Sequence, residues 1–272
     1  MSIKNILLAL SPNPAADPGR DFALAMAKTL KAHVCGRIYG LEPDIGVTPF
    51  DGFSGELLQN FRASLRKEAQ KATARFDAAA GKAKISSTTH FAAAPLAAAA
   101  HSFALIGRTY DVSVLTQSAE GLAHMGDVFA EAALFHSGRP VIIVPRKGSS
   151  QFITEKVTIA WDGGLHAARA VGASMPILKR AKKIEILTVG ERSKEPETHV
   201  TMLVENLRRH GLDAAHKRRS GDDVGKAIVK EAAKSSMLIM GAYGHTRLRE
   251  FVFGGSTRYV MRHAGLPVLM MH

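Results

Sequence analysis

Short apolar runs alternate with longer helical patterns along this chain. Runs such as Lys4–Leu10, Lys156–Trp161 and Ser236–Met240 have the length and composition of buried strands. Stretches of helical length lie between such runs, for example the charged, alanine-rich segment Glu56–Ala80. Strands that alternate with helices are typical of parallel α/β units, so the pattern predicts an α/β fold.

The order of these runs occurs twice. Lys4–Leu10 and Lys156–Trp161 open the two halves, and Arg139–Val144 and Leu266–Met271 close them with similar apolar runs. The pattern therefore indicates a duplication, with domains at residues 1–147 and 153–272. The segment between them is short and polar, so we expect the halves to pack together rather than to move freely.

The periodicity also predicts where the individual elements lie. In the first half it predicts strands at 33–39, 85–90, 112–116 and 140–144, and helices at 22–30, 56–80, 95–106 and 128–135. In the second half it predicts strands at 157–161, 184–189, 214–218 and 236–240, and helices at 167–182, 197–210, 224–234 and 258–264. Asp222 and Asp223 precede the helix predicted at 224–234, and acidic residues favour a helix start.

The composition limits the classes of protein to which this chain can belong. A chain of 272 residues with 46% hydrophobic content can bury the cores of two domains. A lone cysteine, Cys35, makes no internal disulfide and suits a reducing compartment. The apolar runs are too short for a bilayer span or a signal peptide, so we expect a cytoplasmic protein without membrane contact.

The charge is unevenly distributed. The net charge is +12, with 16 Lys and Arg against 12 Asp and Glu up to residue 150 and 20 against 12 beyond it. A basic second half favours anionic partners, from nucleotides to nucleic acid or a membrane surface. No aromatic residues interleave with the basic run Lys217–Arg219, which argues against single-stranded nucleic acid as a partner.

Glycines cluster at both ends of a loop near the end of the chain. Gly241 and Gly244 follow the apolar run Ser236–Met240, and Gly254 and Gly255 precede the last predicted helix. Glycines let backbone N–H groups approach a ligand closely, and a helix start adds unpaired N–H groups and partial positive charge. These features predict a phosphate cradle. The alternative is that the glycines only form a tight turn and an ordinary helix start.

A second group of residues is expected to meet this glycine loop. Ligands of open parallel sheets bind at the carboxyl ends of the strands, where the strand order switches. Predicted strands end at Asp162, Val189 and Gly241, so these three ends can converge on one cleft. Asp162 is then a partner for ribose hydroxyls or an adenine amino group. In the alternative, Asp162 is a turn residue or a helix cap.

The closing segment resembles the universal stress protein family. Nucleotide-binding members carry Gly, two residues, Gly, nine residues, Gly and then a small hydroxyl residue, and Gly241, Gly244 and Gly254 fit both spacings. The resemblance implies two tandem Rossmann-like domains of the adenine nucleotide α-hydrolase type. Each would be a five-stranded parallel sheet flanked by helices, with the two domains paired through edge strands.

The resemblance also implies ATP as the ligand, with magnesium accompanying the phosphates, and an adenine nucleotide as the principal partner. Within the chain the two domains would pair, and a homodimer is compatible with this arrangement. The residues assigned to the nucleotide are Ala160, Asp162, Val189, Met240, Gly241, Gly244, His245, Gly254, Gly255, Ser256 and Thr257.

The chain departs from the family pattern at several positions. Gly255 stands where the family has its first hydroxyl residue, and Ala160 stands where a proline is common. The first half departs further, because its first strand runs into Ser11 rather than an aspartate, and residues 117–121 lack the glycine pair. We therefore expect no nucleotide in the first half, a prediction that isothermal titration tests by counting the sites per chain.

No catalytic constellation is evident in the sequence. It contains no Gly-x-x-x-x-Gly-Lys-Ser/Thr loop, no paired-cysteine zinc spacing and no His-Glu-x-x-His. We therefore assign neither catalytic residues nor metal ligands, and we expect slow ATPase activity at most. The function predicted is an ATP-binding stress-response sensor. Two alternatives stay open: an ATP-using enzyme of the adenine nucleotide α-hydrolase type, and a scaffold that binds a different ligand.

Overall fold

The computed structural model describes residues 2–12, 17–43, 55–118, 123–148, 151–190, 198–221, 223–243 and 255–272. Its first-half elements are β1 (Asn5–Ala9), α1 (Pro18–Leu30), β2 (His33–Glu42), α2 (Gly55–Ala83), β3 (Ser87–Pro95), α3 (Leu96–Gly107), β4 (Val112–Thr116), α4 (Ala123–His136) and β5 (Val141–Val144). Its second-half elements are β6 (Lys156–Ala160), α5 (Leu165–Leu178), β7 (Lys183–Val189), α6 (Thr198–Arg209), β8 (Ala214–Arg219), α7 (Val224–Ala232), β9 (Met237–Gly241), α8 (Gly255–His263) and β10 (Val268–Met271).

The strands form one ten-stranded sheet in the order β3-β2-β1-β4-β5-β10-β9-β6-β7-β8. Within each half the neighbouring strands are parallel, and the order β3-β2-β1-β4-β5 of the first half is repeated by β8-β7-β6-β9-β10. The halves meet where β5 pairs antiparallel with β10, with Ile142 opposite Leu269. The predicted α/β fold with parallel sheets is confirmed, and the halves join through edge strands as expected.

Several element bounds differ from the sequence-based prediction; β3, for example, ends at Pro95 rather than 90, and α8 begins at 255 rather than 258. The helix expected from residue 22 begins at Pro18, because the side chain of Asp17 caps it and proline is favoured in a first turn. Helix α4 begins at 123 rather than 128. Helix α5 runs from 165 to 178 rather than from 167 to 182, and its last turn contains Pro176, which supplies no backbone donor.

The core on one face of the sheet runs across the junction between the halves. Leu8, Ile142, Ile159, Leu178 and Leu269 are at most 1% exposed and belong to one cluster of buried apolar side chains. Helices cover both faces, as buried parallel strands require. Among the described residues, no helix combines the length and apolar character needed to cross a membrane.

Candidate functional site

The carboxyl ends of β6 and β9 lie side by side at one edge of the sheet. Ala160 pairs with Met240, and both side chains are buried. The chain then leaves the sheet through Asp162, whose side chain is exposed. Oδ1 of Asp162 accepts a hydrogen bond from the backbone N–H of Gly164 at 2.8 Å, which fixes the turn into α5. The carboxylate is therefore held at the edge of the sheet, where a ligand of a parallel fold binds.

The start of α5 beside Asp162 lacks a side-chain cap. Its N-cap residue is Gly164, which has no side chain to accept the first N–H groups of the helix. The next residue, Leu165, is 60% exposed although it is apolar. The sequence analysis did not single out Leu165. An open helix start beside an exposed apolar side chain suits a ligand with both anionic and apolar parts.

The two ends of the glycine loop are held together. Tyr243, which follows β9, has a positive φ of 55°. Its backbone N–H donates to Oγ1 of Thr257 in the first turn of α8 at 3.2 Å. Thr257 is 5% exposed, so its hydroxyl supports the loop from within, whereas Gly255 is exposed and Ser256 is half-buried.

The remaining predicted residues are Val189 and three residues of the glycine loop. Gly244, His245 and Gly254 lie outside the described residues. Val189 is half-buried at the end of β7, opposite Arg219 of β8. No group of three or more His, Cys, Asp or Glu side chains in the described part of the chain could hold a metal ion.

Gly241 has a steric role that the sequence did not reveal. A Cβ atom at this position would lie 2.6 Å from the backbone N of Ala167 and 2.8 Å from the carbonyl carbon of His166. The end of β9 therefore packs directly on the first turn of α5. In the first half the corresponding strand ends in Thr116, and the glycine is on the helix instead, at Gly19. One glycine is needed at this contact, and the two halves supply it from opposite sides.

In the first half a carboxylate of the protein fills the corresponding helix start. Asp17 is 4% exposed and caps α1. It accepts hydrogen bonds from the N–H of Ser11 at 3.2 Å, the N–H of Arg20 at 3.1 Å and the hydroxyl of Thr116 at 3.3 Å. Burial raises the pKa of this carboxyl above its ordinary value, against the hydrogen bonds that lower it. The carboxyl group of Asp17 therefore occupies the position at the start of α1 that a phosphate would need.

Replacing Asp17 by alanine is expected to lower the free energy of unfolding by about 2 kcal/mol, because a helix cap is lost and buried donors are left without an acceptor. Urea denaturation followed by circular dichroism measures the loss. The control is Asp223→Ala, which removes the exposed cap of α7 and should cost less. Equal losses for the two variants would contradict the role given to burial at Asp17.

Comparison with known proteins identifies relatives of part of the chain. Residues 154–272 match the family model described as universal stress protein family. A universal stress protein of Synechocystis sp. is 30% identical over 139 residues, which are 48% of this chain and 46% of that protein. The chain therefore matches about half the length of this curated relative.

Solved structures extend the likeness in fold to the whole chain. A universal stress protein from Archaeoglobus fulgidus has a TM-score of 0.75 at 16% identity, over 99% of this chain and 96% of that one. A functionally unknown protein from Pseudomonas aeruginosa has a TM-score of 0.61 at 14% identity, over 99% and 92% of the two chains. At these identities the likeness concerns the fold alone.

Proposed function

We propose that this chain, whose residues 154–272 belong to the universal stress protein family, binds an adenine nucleotide in the cleft of its second half. In this proposal the protein serves the stress response as a nucleotide-dependent binding protein. The proposed site lies between the ends of β6 and β9 and the starts of α5 and α8. The first half contributes no nucleotide site.

One observation carries the proposal, namely the contrast between the two corresponding helix starts. The start of α1 is capped by the buried carboxyl group of Asp17. The start of α5 is capped by Gly164 without any side chain, and the exposed carboxylate of Asp162 lies beside it. An open helix start attracts a phosphate, and a filled one repels it. A single nucleotide per chain follows from this contrast.

The residues in the second cleft match the parts of a nucleotide. A carboxylate such as that of Asp162 accepts hydrogen bonds from ribose hydroxyls or an amino group. The starts of α5 and α8 and the exposed backbone at Gly255 offer N–H groups to phosphates, and the apolar Leu165 offers a surface to a base. Magnesium would accompany the phosphates of the nucleotide.

Gly255→Ala is expected to weaken ATP binding about tenfold, because a methyl group keeps the phosphates from the backbone and removes one charge-assisted hydrogen bond. The variant should fold normally, since nothing lies within 4 Å of a Cβ atom at this position. Trp161 is the single tryptophan and precedes Asp162, so its fluorescence reports the titration directly. Isothermal titration with ATP and magnesium gives the affinity and the number of sites.

The matched control is Gly172→Ala in the middle of α5, where a Cβ atom likewise meets nothing within 4 Å. This variant should bind ATP as the wild type does. A wild-type protein that binds no ATP would reject the proposal in favour of a scaffold for another ligand. Two nucleotides per chain would reject the assignment to the second half alone, and rapid turnover of ATP would favour the enzyme alternative.

A further inference from the structure

Helix α4 of the first half reaches across the junction to the glycine loop of the second half. Oε1 of Glu131 on α4 accepts a hydrogen bond from the hydroxyl of Tyr243 at 3.0 Å. The same oxygen accepts two bonds from Arg258 on α8, from Nε at 3.0 Å and from Nη2 at 2.7 Å. One carboxylate therefore holds the residue that opens the glycine loop and the helix that closes it.

An aromatic contact adds to this carboxylate. The ring of Phe135, one turn further along α4, lies 4.8 Å from the ring of Tyr243 and 4.5 Å from that of His272. His272 in turn contacts His166 in the first turn of α5, with 3.0 Å between the two Nδ1 atoms. Helix α4 is thus connected to both the loop and the open helix start that bound the second cleft.

Tyr243 needs such support because its backbone is in the left-handed region, which a residue with a Cβ atom adopts at a cost. Three contacts hold it there: its N–H bonds to Thr257, its hydroxyl bonds to Glu131, and its ring packs on Phe135. Two of these three contacts come from the first half. Burial, followed by the nearby charge of Glu131, raises the pKa of the Tyr243 hydroxyl, so it stays a hydrogen-bond donor.

We propose that Glu131 and Phe135 are positioning residues, through which the first half sets the nucleotide affinity of the second half. The effect on affinity rests on the proposed function, whereas the role of these residues in holding Tyr243 does not. The first half, in which Asp17 caps the corresponding helix start, then serves as a support for the loop of its neighbour. By linkage, a nucleotide that favours the held loop also strengthens the contact between the halves.

The chain contains a matched control for this network. Asp127, one turn earlier on α4, accepts two hydrogen bonds from Arg262 of α8, at 3.1 Å and 2.6 Å. This ion pair joins the same two helices but makes no contact with Tyr243 among the described residues. Asp127→Asn and Glu131→Gln therefore each remove a negative charge from the same pair of helices. Asp127 also accepts a hydrogen bond from the hydroxyl of Ser118 at 3.1 Å, and we expect only the change at Glu131 to affect the loop.

Glu131→Gln is expected to weaken ATP binding about tenfold, within the usual range of coupling between sites. Tyr243→Phe should have a smaller effect of the same sign, and Asp127→Asn should stay within about twofold of the wild type. A readout without nucleotide is hydrogen exchange at the Tyr243 amide. We expect faster exchange in Glu131→Gln and wild-type exchange in Asp127→Asn, both measured on the full chain by NMR or mass spectrometry.

The outcomes separate this inference from the proposed function. Equal losses of affinity in Asp127→Asn and Glu131→Gln would overturn it, because the network would then only hold the halves together. Unchanged amide exchange in Glu131→Gln would overturn the positioning role alone. A wild-type chain that binds no ATP would overturn the effect on affinity together with the proposed function, and the exchange measurement would still decide whether α4 holds the loop.

Discussion

Gly241→Ala is expected to lower the free energy of unfolding by about 3 kcal/mol, at the upper end of the usual cost of overpacking. The new methyl group would lie 2.6 Å from the backbone N of Ala167 and 2.8 Å from the carbonyl carbon of His166. Backbone atoms in a first helical turn cannot rotate away as a side chain can. The end of β9 and the start of α5 must therefore separate, and ATP binding should weaken as a secondary effect.

Urea denaturation of the full chain, followed by circular dichroism, measures this loss. Gly172→Ala, which adds the same methyl group to open space on α5, is the control and should keep or slightly raise the stability. Gly19→Ala should be less costly than Gly241→Ala, because its methyl group meets the rotatable hydroxyl of Thr116 rather than a backbone atom. Wild-type stability of Gly241→Ala would mean that the β9–α5 contact is looser than described.

This steric requirement changes how the glycine motif is interpreted. The sequence presented two alternatives for Gly241, a phosphate cradle or a tight turn, and the packing on α5 is a third role. The first half meets the same requirement with Thr116 on the strand and Gly19 on the helix. The first half therefore needs no glycine at the end of this strand, because the glycine at the strand–helix contact lies on the helix instead. The filled start of α1, rather than the missing glycine, is the better reason to expect no nucleotide there.

The parts of the fold that depend on short-range patterns could be predicted from the sequence. Apolar runs and helical periodicity identified the strands and helices, because burial of one face or both faces of an element leaves its period in the chain. The duplication followed from the repeated order of these runs, whereas the junction through edge strands was implied by the family resemblance. Helix starts were less predictable: α1 begins four residues before the predicted position, although Asp17 followed by Pro18 is a local start signal.

The candidate site could be predicted only in part, because some of its contacts join residues that are far apart in the chain. Asp162 and the glycines are noticeable because they interrupt apolar runs at the ends of predicted strands. The link from Glu131 to Tyr243 spans 112 residues and follows from the β5–β10 junction, which brings α4 beside the loop. A single glutamate on a predicted helix has no local feature that indicates such a role. Long-range contacts of this kind require the fold.

The continuous sheet also bears on the division into domains at residues 147 and 153. The cluster of buried side chains that includes Leu8 in β1 also includes Leu269 in β10 and Leu178 in α5. Two halves that share a sheet and a core are expected to unfold together, because neither can lose its strands without exposing the apolar surface of the other. We therefore propose one cooperative folding unit that is built from two sequence domains.

Leu8→Ala is expected to lower the free energy of unfolding by about 3 kcal/mol, as a large-to-small change at a fully buried position does. Although Leu8 lies in the first half, the whole loss should appear in the fluorescence of Trp161, which packs against the same core in the second half. Urea curves from fluorescence and from circular dichroism should coincide. Leu178→Ala is the matched change in the second half. It must shift the Trp161 curve whether the halves unfold together or separately. A Leu8→Ala protein whose Trp161 transition stays at the wild-type midpoint would mean that the halves unfold separately, despite the strand pair that joins them.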